Sequence, residues 1–396
     1  MKIKANLIFL GLASCFLLSC KGQSSSGSKN PNDGNEIVGG PFENGAFMYI
    51  GMPEHIKPVD TSAGWTQEGQ RLLITGTIYK IDGKTPAPNV TLYYYHTNVH
   101  GVYADKPGLD RRVLRHGYIR GWVRSDANGK YSIYTVRPAP YPGGSFEAHI
   151  HPSIKESNID KEYYIDEFVF DDDTMLTNEK RKKLKNRGGS GILRLLKKGD
   201  LQIAEHNIIL GLNIPNYPEK IKMEDQSGLQ IGEDQPSFIP FHAFGPDKGS
   251  RACPVCKYGR YHGIVYFVGN NTNWAEVKKW LVFLEQQSIA RSKYLKAYFV
   301  YGSEKNYSKD RRQKELEAIG NELNLKKIAL TFVPSFTDTE SDVNLNKINP
   351  EATNTFVIYR NCTIIDKYIN LKPTEDNLRL LLKQLDTNKG DYFDLD

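Results

Sequence analysis

The chain has 396 residues, 39% of them hydrophobic and 25% charged, with a formal net charge of +6. That length can bury more than one core, and the composition is that of a soluble globular protein, which excludes a chain disordered throughout and a bundle of membrane helices. The densest basic run, residues 180–187 (KRKKLKNR), has no aromatic residue interleaved with it, so it reads as a solvated loop and no nucleic-acid partner is expected.

In chain order, Lys2 and Lys4 precede an apolar stretch, residues 5–18, that is too short for a permanent bilayer span and has the layout of a secretory signal. Residues 17–20 (LLSC) resemble the lipobox of bacterial lipoproteins. The resemblance implies a signal peptide over 1–19, lipidation of Cys20, and a protein held to a lipid membrane of the bacterial cell envelope, on its periplasmic or outer-membrane face, by acyl chains. A plain secretory signal is the alternative. Residues 20–45 are rich in Ser, Gly and Asn and read as a flexible tether.

From Arg71 onward short alternating runs follow one another (RLLITGTIYKI, NVTLYYYHT, YIRGWVRSD, KYSIYTVRP, EAHIHPSI, EYYIDEFVF), bounded by turn signals such as Asp82-Gly83, Asn128-Gly129 and Pro142-Gly143. Many short strands with little helical periodicity predict an antiparallel β-sandwich over residues 46–217, with a hairpin at Asn128-Gly129 and an excursion over 175–196. Within it, His149 and His151 share one strand face if AHIHPSI is extended, the geometry of a two-nitrogen metal claw. Tyr141 lies eight residues upstream in a Pro/Gly loop, and Tyr103 in a similar loop further back. A phenol ionises near neutral pH only beside a strongly Lewis-acidic ion, so two phenols with two imidazoles favour ferric iron, Fe(3+), over zinc. With 23 tyrosines in the chain, strand packing is the competing reading of any single one.

Residues 65–217 resemble the intradiol ring-cleavage dioxygenases, in GTIYKIDGKTPAPNVTLYYYHTNVHGVY, IRGWVRSDANGKYSIYTVRPAPYP and AHIHPSI. The resemblance implies Tyr103, Tyr141, His149 and His151 as iron ligands, a small aromatic diol and O2 as substrates, and cleavage between the two hydroxylated carbons. It also implies a catalytic role for Tyr141, displaced by the diol and receiving its proton. Two positions depart from the pattern. Members active on simple catechols carry an arginine three residues before the first histidine, where this chain has Phe146, followed by Glu147 in place of a common proline; a later glutamine is replaced by Glu167. Arg120 and Arg137 are candidates to supply the missing charge. A binding module that keeps the metal without turnover is the rival reading.

Residues 218–235 are polar and read as a linker, and strands alternate with helices over 236–396, which predicts an α/β layer. Trp274, Val277, Leu281 and Leu284 recur at helical spacing, as do Leu378, Leu381, Leu382 and Leu385. The order resembles thioredoxin-like domains. Cys253 and Cys256 form a C-x-x-C pair that reads as a structural disulfide, a redox pair or half of a metal site; it precedes the strand GIVYFVG, whereas the thioredoxin pair follows one. A thiol-disulfide oxidoreductase is therefore a third functional reading. Cys362 reads as a buried apolar residue.

Overall fold

A computed structural model describes residues 37–220 and 226–387. The expected signal, Cys20 and most of the tether lie outside them. Folded structure begins earlier than the expected tether end at residue 45: Gly39 N donates to the Pro215 carbonyl (2.7 Å), Asn216 Nδ2 to that of Ile37 (3.1 Å), and the Arg187 guanidinium to that of Gly39 (2.6 Å).

The first half is built on two sheets sharing one core. In the first five residues of Arg71–Tyr79 and of Lys130–Val136 alternate side chains are buried, as a period of two requires of a half-buried strand. These strands pair antiparallel with Ile74 opposite Ile133, and Val59–Thr61, Leu201–Glu205 and Leu195–Lys198 extend the sheet. The second sheet runs Arg120–Arg124, Thr91–His96, His149–Lys155, Phe168–Phe170, Ile192–Leu193. Leu72, Ile74 and Ile133 from the first sheet pack with Leu92, Ile150, Ile154 and Phe168 from the second.

Several sequence expectations change here. The sheets are mixed, because Val59–Thr61, Leu201–Glu205 and Ile192–Leu193 each join a neighbour in parallel. Long returns permit what a two-residue hairpin forbids. Asn128-Gly129 does not close a hairpin within one sheet: Arg120–Arg124 and Lys130–Val136 belong to different sheets, and the turn carries the chain between them. Its geometry is set by Asp126, whose carboxylate accepts from Asn128 N and Lys130 N, with Gly129 at φ 73. The excursion over 175–196 also ends inside the sandwich, as Ile192–Leu193 adds a strand to the second sheet.

The second half is one six-stranded sheet ordered Phe241–Phe244, Ala329–Phe332, Leu295–Tyr301, His262–Val268, Thr355–Arg360, Thr363–Ile369, with the second, third and fourth of these mutually parallel. Helices Trp274–Ala290, Lys309–Glu322 and Glu375–Thr387 lay Trp280, Leu281, Leu316, Leu381 and Leu385 on one face. The other face is covered by Phe238, Val255, Phe336 and Val343. The stretch TFVIYRNCTIIDKYI is a hairpin turning at Asn361 and Cys362, both at positive φ (51 and 62). Residues 227–235 of the expected linker are built into this half: Ser227 Oγ meets Thr355 Oγ1 at 2.6 Å, and the 232–235 backbone exchanges hydrogen bonds with Cys362 and Ile364. Ion pairs Arg360–Glu205 (2.6 Å), Lys84–Asp366 (2.7 Å), Arg194–Asp234 (3.0 Å) and Arg260–Asp171 (3.1 Å) tie the two halves together. Among the described residues no helix is long and apolar enough to cross a membrane.

Candidate metal centre

The two tyrosine loops are stitched to each other before either side chain is considered. After Thr91–His96 the chain enters a turn organised by Asn98, whose side-chain oxygen accepts from His100 N (2.9 Å) and Val102 N (3.1 Å). Thr97 Oγ1 donates to the Ala139 carbonyl (2.8 Å) and Ala139 N to the Asn98 carbonyl (3.1 Å). Gly101, at φ 72, passes so close to Pro140 that a Cβ would collide with the Pro140 carbonyl oxygen. Only glycine meets both conditions there. Tyr103 and Tyr141 are thus brought together by backbone contacts.

The histidines come from the strand His149–Lys155, positioned where Ala148 N donates to Asp173 Oδ2 (2.8 Å). As the strand period requires, both imidazoles face the tyrosine loops. Tyr103 Oη lies 2.6 Å from Tyr141 Oη and 2.8 Å from His151 Nε2; Tyr141 Oη lies 3.0 Å from His149 Nε2 and 3.5 Å from His151 Nε2. The four side-chain tips named from the sequence therefore converge in one place.

Each imidazole offers its Nε2 lone pair because the other nitrogen is engaged. His149 Nδ1 contacts the Glu147 carbonyl oxygen (2.7 Å), and His151 Nδ1 contacts Glu167 Oε1 (2.9 Å). With those Nδ1 atoms as donors, two hydroxyl protons must serve three close contacts among the four tips, and the third contact brings lone pairs together. A bound cation removes that conflict. The spacing also fits, since bonds of about 2.0–2.2 Å to one ion place neighbouring donors about 3 Å apart. Burial pushes the Tyr103 phenol well above its ordinary value, and the contact with Tyr141 pushes it further; burial raises Tyr141 as well. The phenols stay protonated at neutral pH unless a strong Lewis acid draws the charge out. Burial, helped by His151, lowers the His149 imidazole, which keeps it a neutral donor. Desolvation works against the Glu167 carboxylate, yet its hydrogen bond to His151 holds it below the ordinary range.

The departures at the arginine position also find their places. Phe146 is 60% exposed, with the Lys180 ammonium 5.9 Å from its ring. The Glu147 carboxylate is paired with Lys180 at 2.5 Å. Neither candidate arginine leans into the cluster. Arg120 donates to the Phe47 and Ile50 carbonyls and lies over Tyr93 and Trp122; Arg137 grips Asp172 with two hydrogen bonds (2.9 and 2.7 Å) above Phe170.

Two supports were not legible in the sequence. Tyr95, opposite His151 in the antiparallel register, stacks on its ring at 4.6 Å and is itself stacked at 3.6 Å on His116. The sequence marks Glu167 only as a replacement for a glutamine, because its bond to His151 is tertiary. In the second half Cys253 and Cys256 are disulfide-bonded at the start of a short helix, Pro254–Tyr258, and Cys362 is a free, half-buried thiol.

Residues 45–182 match the family described as Dioxygenase. A stretch of 98 residues is 31% identical to catechol 1,2-dioxygenase of Acinetobacter baylyi, covering 24% of this chain and 30% of that protein. Over 92 residues the identity to the protocatechuate 3,4-dioxygenase beta chain of Burkholderia cepacia is 29%, covering 22% and 39% respectively. The chain thus spans about a third of the length of the curated relatives it matches. Among solved structures, hydroxyquinol 1,2-dioxygenase from Pseudomonas putida DLL-E4 aligns with a TM-score of 0.32 at 19% identity, over 47% of this chain and 67% of that one. The family match falls in the first half; the α/β half lies outside it.

Proposed function

We propose that the first half is an intradiol dioxygenase domain that holds ferric iron through Tyr103, Tyr141, His149 and His151 and cleaves a small aromatic diol with O2, on a protein tethered to a membrane of the bacterial cell envelope through Cys20. What supports the reading is the meeting of two phenol oxygens and two imidazole nitrogens within hydrogen-bonding distance of one another. Ferric iron, when bound, supplies the Lewis acidity that ionises the phenols and the diol and opens the ring to attack by O2.

The chain's own residues do the rest. Tyr103 and Tyr141 hold negative charge at their Oη atoms, and His149 and His151 present fixed Nε2 lone pairs. Tyr141, on the turn closed by Gly144 N to its own carbonyl (3.0 Å), is the residue that takes a proton from the diol at Oη. The second half acts as a thioredoxin-like partner domain; its support is the strand order, in which the three mutually parallel strands His262–Val268, Leu295–Tyr301 and Ala329–Phe332 are followed by the antiparallel hairpin Thr355–Ile369. The Cys253–Cys256 disulfide is structural in this reading.

A second reading, an iron-binding module without turnover, is favoured by one observation: Arg120, Arg137 and Lys180 are each committed elsewhere, so none replaces the arginine expected at Phe146. Iron content and a visible tyrosinate-to-iron absorption test the metal centre, and a colourless protein that takes up no iron from solution refutes it. Oxygen uptake with a panel of catechols then separates the enzyme from the binding module.

A further inference from the structure

We propose that Glu167 is a positioning residue of this centre: its carboxylate, bonded to Nδ1 of His151, orients that imidazole and makes it a stronger donor at Nε2 than its neighbour. The inference rests on the reading of His151 as an iron ligand. Its basis is an asymmetry between two otherwise equivalent side chains. His149 Nδ1 faces a backbone carbonyl, a neutral acceptor that any residue at position 147 would offer. His151 Nδ1 faces a carboxylate oxygen at 2.9 Å. An ionised acceptor draws the Nδ1 proton harder and shifts electron density across the ring to Nε2.

Glu167 has no competing partner: His151 is its only ion-pair or hydrogen-bond partner among the described residues, although its side chain is 49% exposed. Its backbone is held firmly. Asp166 N donates to the Arg187 carbonyl (2.9 Å), a Cβ at Gly191 would strike the Glu167 carbonyl oxygen, and the strand beginning at Phe168 pairs with His149 and Ile150. The carboxylate is thus carried by the element that borders the histidine strand. The resemblance places a neutral glutamine here, so this chain adds a negative charge behind a ligand while lacking the usual positive one. That charge favours ferric over ferrous iron.

The His151 ring has a second, independent support in its stacking on Tyr95, at 4.6 Å and 18°. Removing the charge of Glu167 while keeping its shape therefore leaves the ring in place, and the electronic effect can be separated from the mechanical one. The test uses the full chain as wild type, Glu167→Gln and Glu167→Ala, each loaded with ferric citrate. Iron affinity is read by chelator competition, together with the visible absorption maximum and the midpoint potential. For Glu167→Gln we expect affinity to fall about 10–100-fold. The absorption maximum moves, and the potential rises by about 59 mV for each tenfold loss of preference for ferric iron. Glu167→Ala moves at least as far. A Glu167→Gln protein with wild-type affinity, absorption and potential overturns the proposal. So does an affinity loss with absorption and potential unmoved, since that is the mark of a merely structural role. Wild-type protein that takes up no iron removes the underlying metal reading as well, whereas iron-replete wild type with an unaffected Glu167→Gln removes only this one.

Discussion

His262 is fully buried at the start of a central strand of the α/β half, with neither ring nitrogen hydrogen-bonded, and it stacks on Tyr294. Burial, together with Arg360 and Arg291, brings its imidazole down to about 3. Unfolded, the same group binds a proton below its ordinary value of about 6.5. Between those two values the unfolded chain holds a proton that the folded chain does not, so stability falls as pH falls through that window and is unaffected above it. At about pH 5 the separation from the unfolded value is about 1.5 units, worth about 2 kcal/mol. Urea unfolding of wild type and His262→Leu at about pH 7.5 and about pH 5 measures the effect. The variant should lose about 2 kcal/mol less than wild type on acidification. Equal losses in the two proteins would show that the buried imidazole is not what resists protonation. His96 and His206, brought down to about 4 by burial, and His116, brought down to about 3 by burial and Arg120, act in the same direction, so the His262→Leu variant keeps a residual acid sensitivity.

Other expectations are as direct. Tyr141→Phe removes one of the four tips, and iron-loaded protein should show a bleached or shifted visible band; an unchanged spectrum takes Tyr141 out of the ligand set. Gly101→Ala places a Cβ against the Pro140 carbonyl in a left-handed position, at a cost of about 1–3 kcal/mol, and should uncouple the two tyrosine loops. Thermal unfolding and iron uptake should fall together in that variant, and intact uptake would mean that the loops find their places without the close approach. Asn273 caps the helix Trp274–Ala290 by accepting from Ala275 N and Glu276 N, so Asn273→Ala should cost about 1 kcal/mol in urea unfolding and leave iron uptake unchanged.

The four converging side chains were legible because their signals are local. Strand periodicity places His149 and His151 on one face without any knowledge of the fold, and Pro and Gly mark the Tyr141 loop whatever lies opposite. The helical repeats of Trp274–Leu284 and Leu378–Leu385 were read for the same reason, since each follows from spacing within one element. Asn128-Gly129 shows the limit: the turn itself was correctly marked, but whether it joins neighbours in one sheet or crosses between two depends on where Arg120–Arg124 finds its partner. The polar residues 218–235 looked like a linker because the backbone pairing of residues 232–235 with Cys362 and Ile364 leaves no trace in composition.

By itself the amino-acid order determined which donors this protein carries and which elements hold them, because side-chain chemistry and the strand and helix periods are properties of a few consecutive residues. Only the tertiary structure decided that Glu167 and Tyr95 support His151, that Lys180 neutralises Glu147, and that Arg120 and Arg137 are engaged elsewhere. These are pairings between residues up to some seventy positions apart. Such contacts are fixed by the register of strands around a shared core, which depends on the whole chain at once.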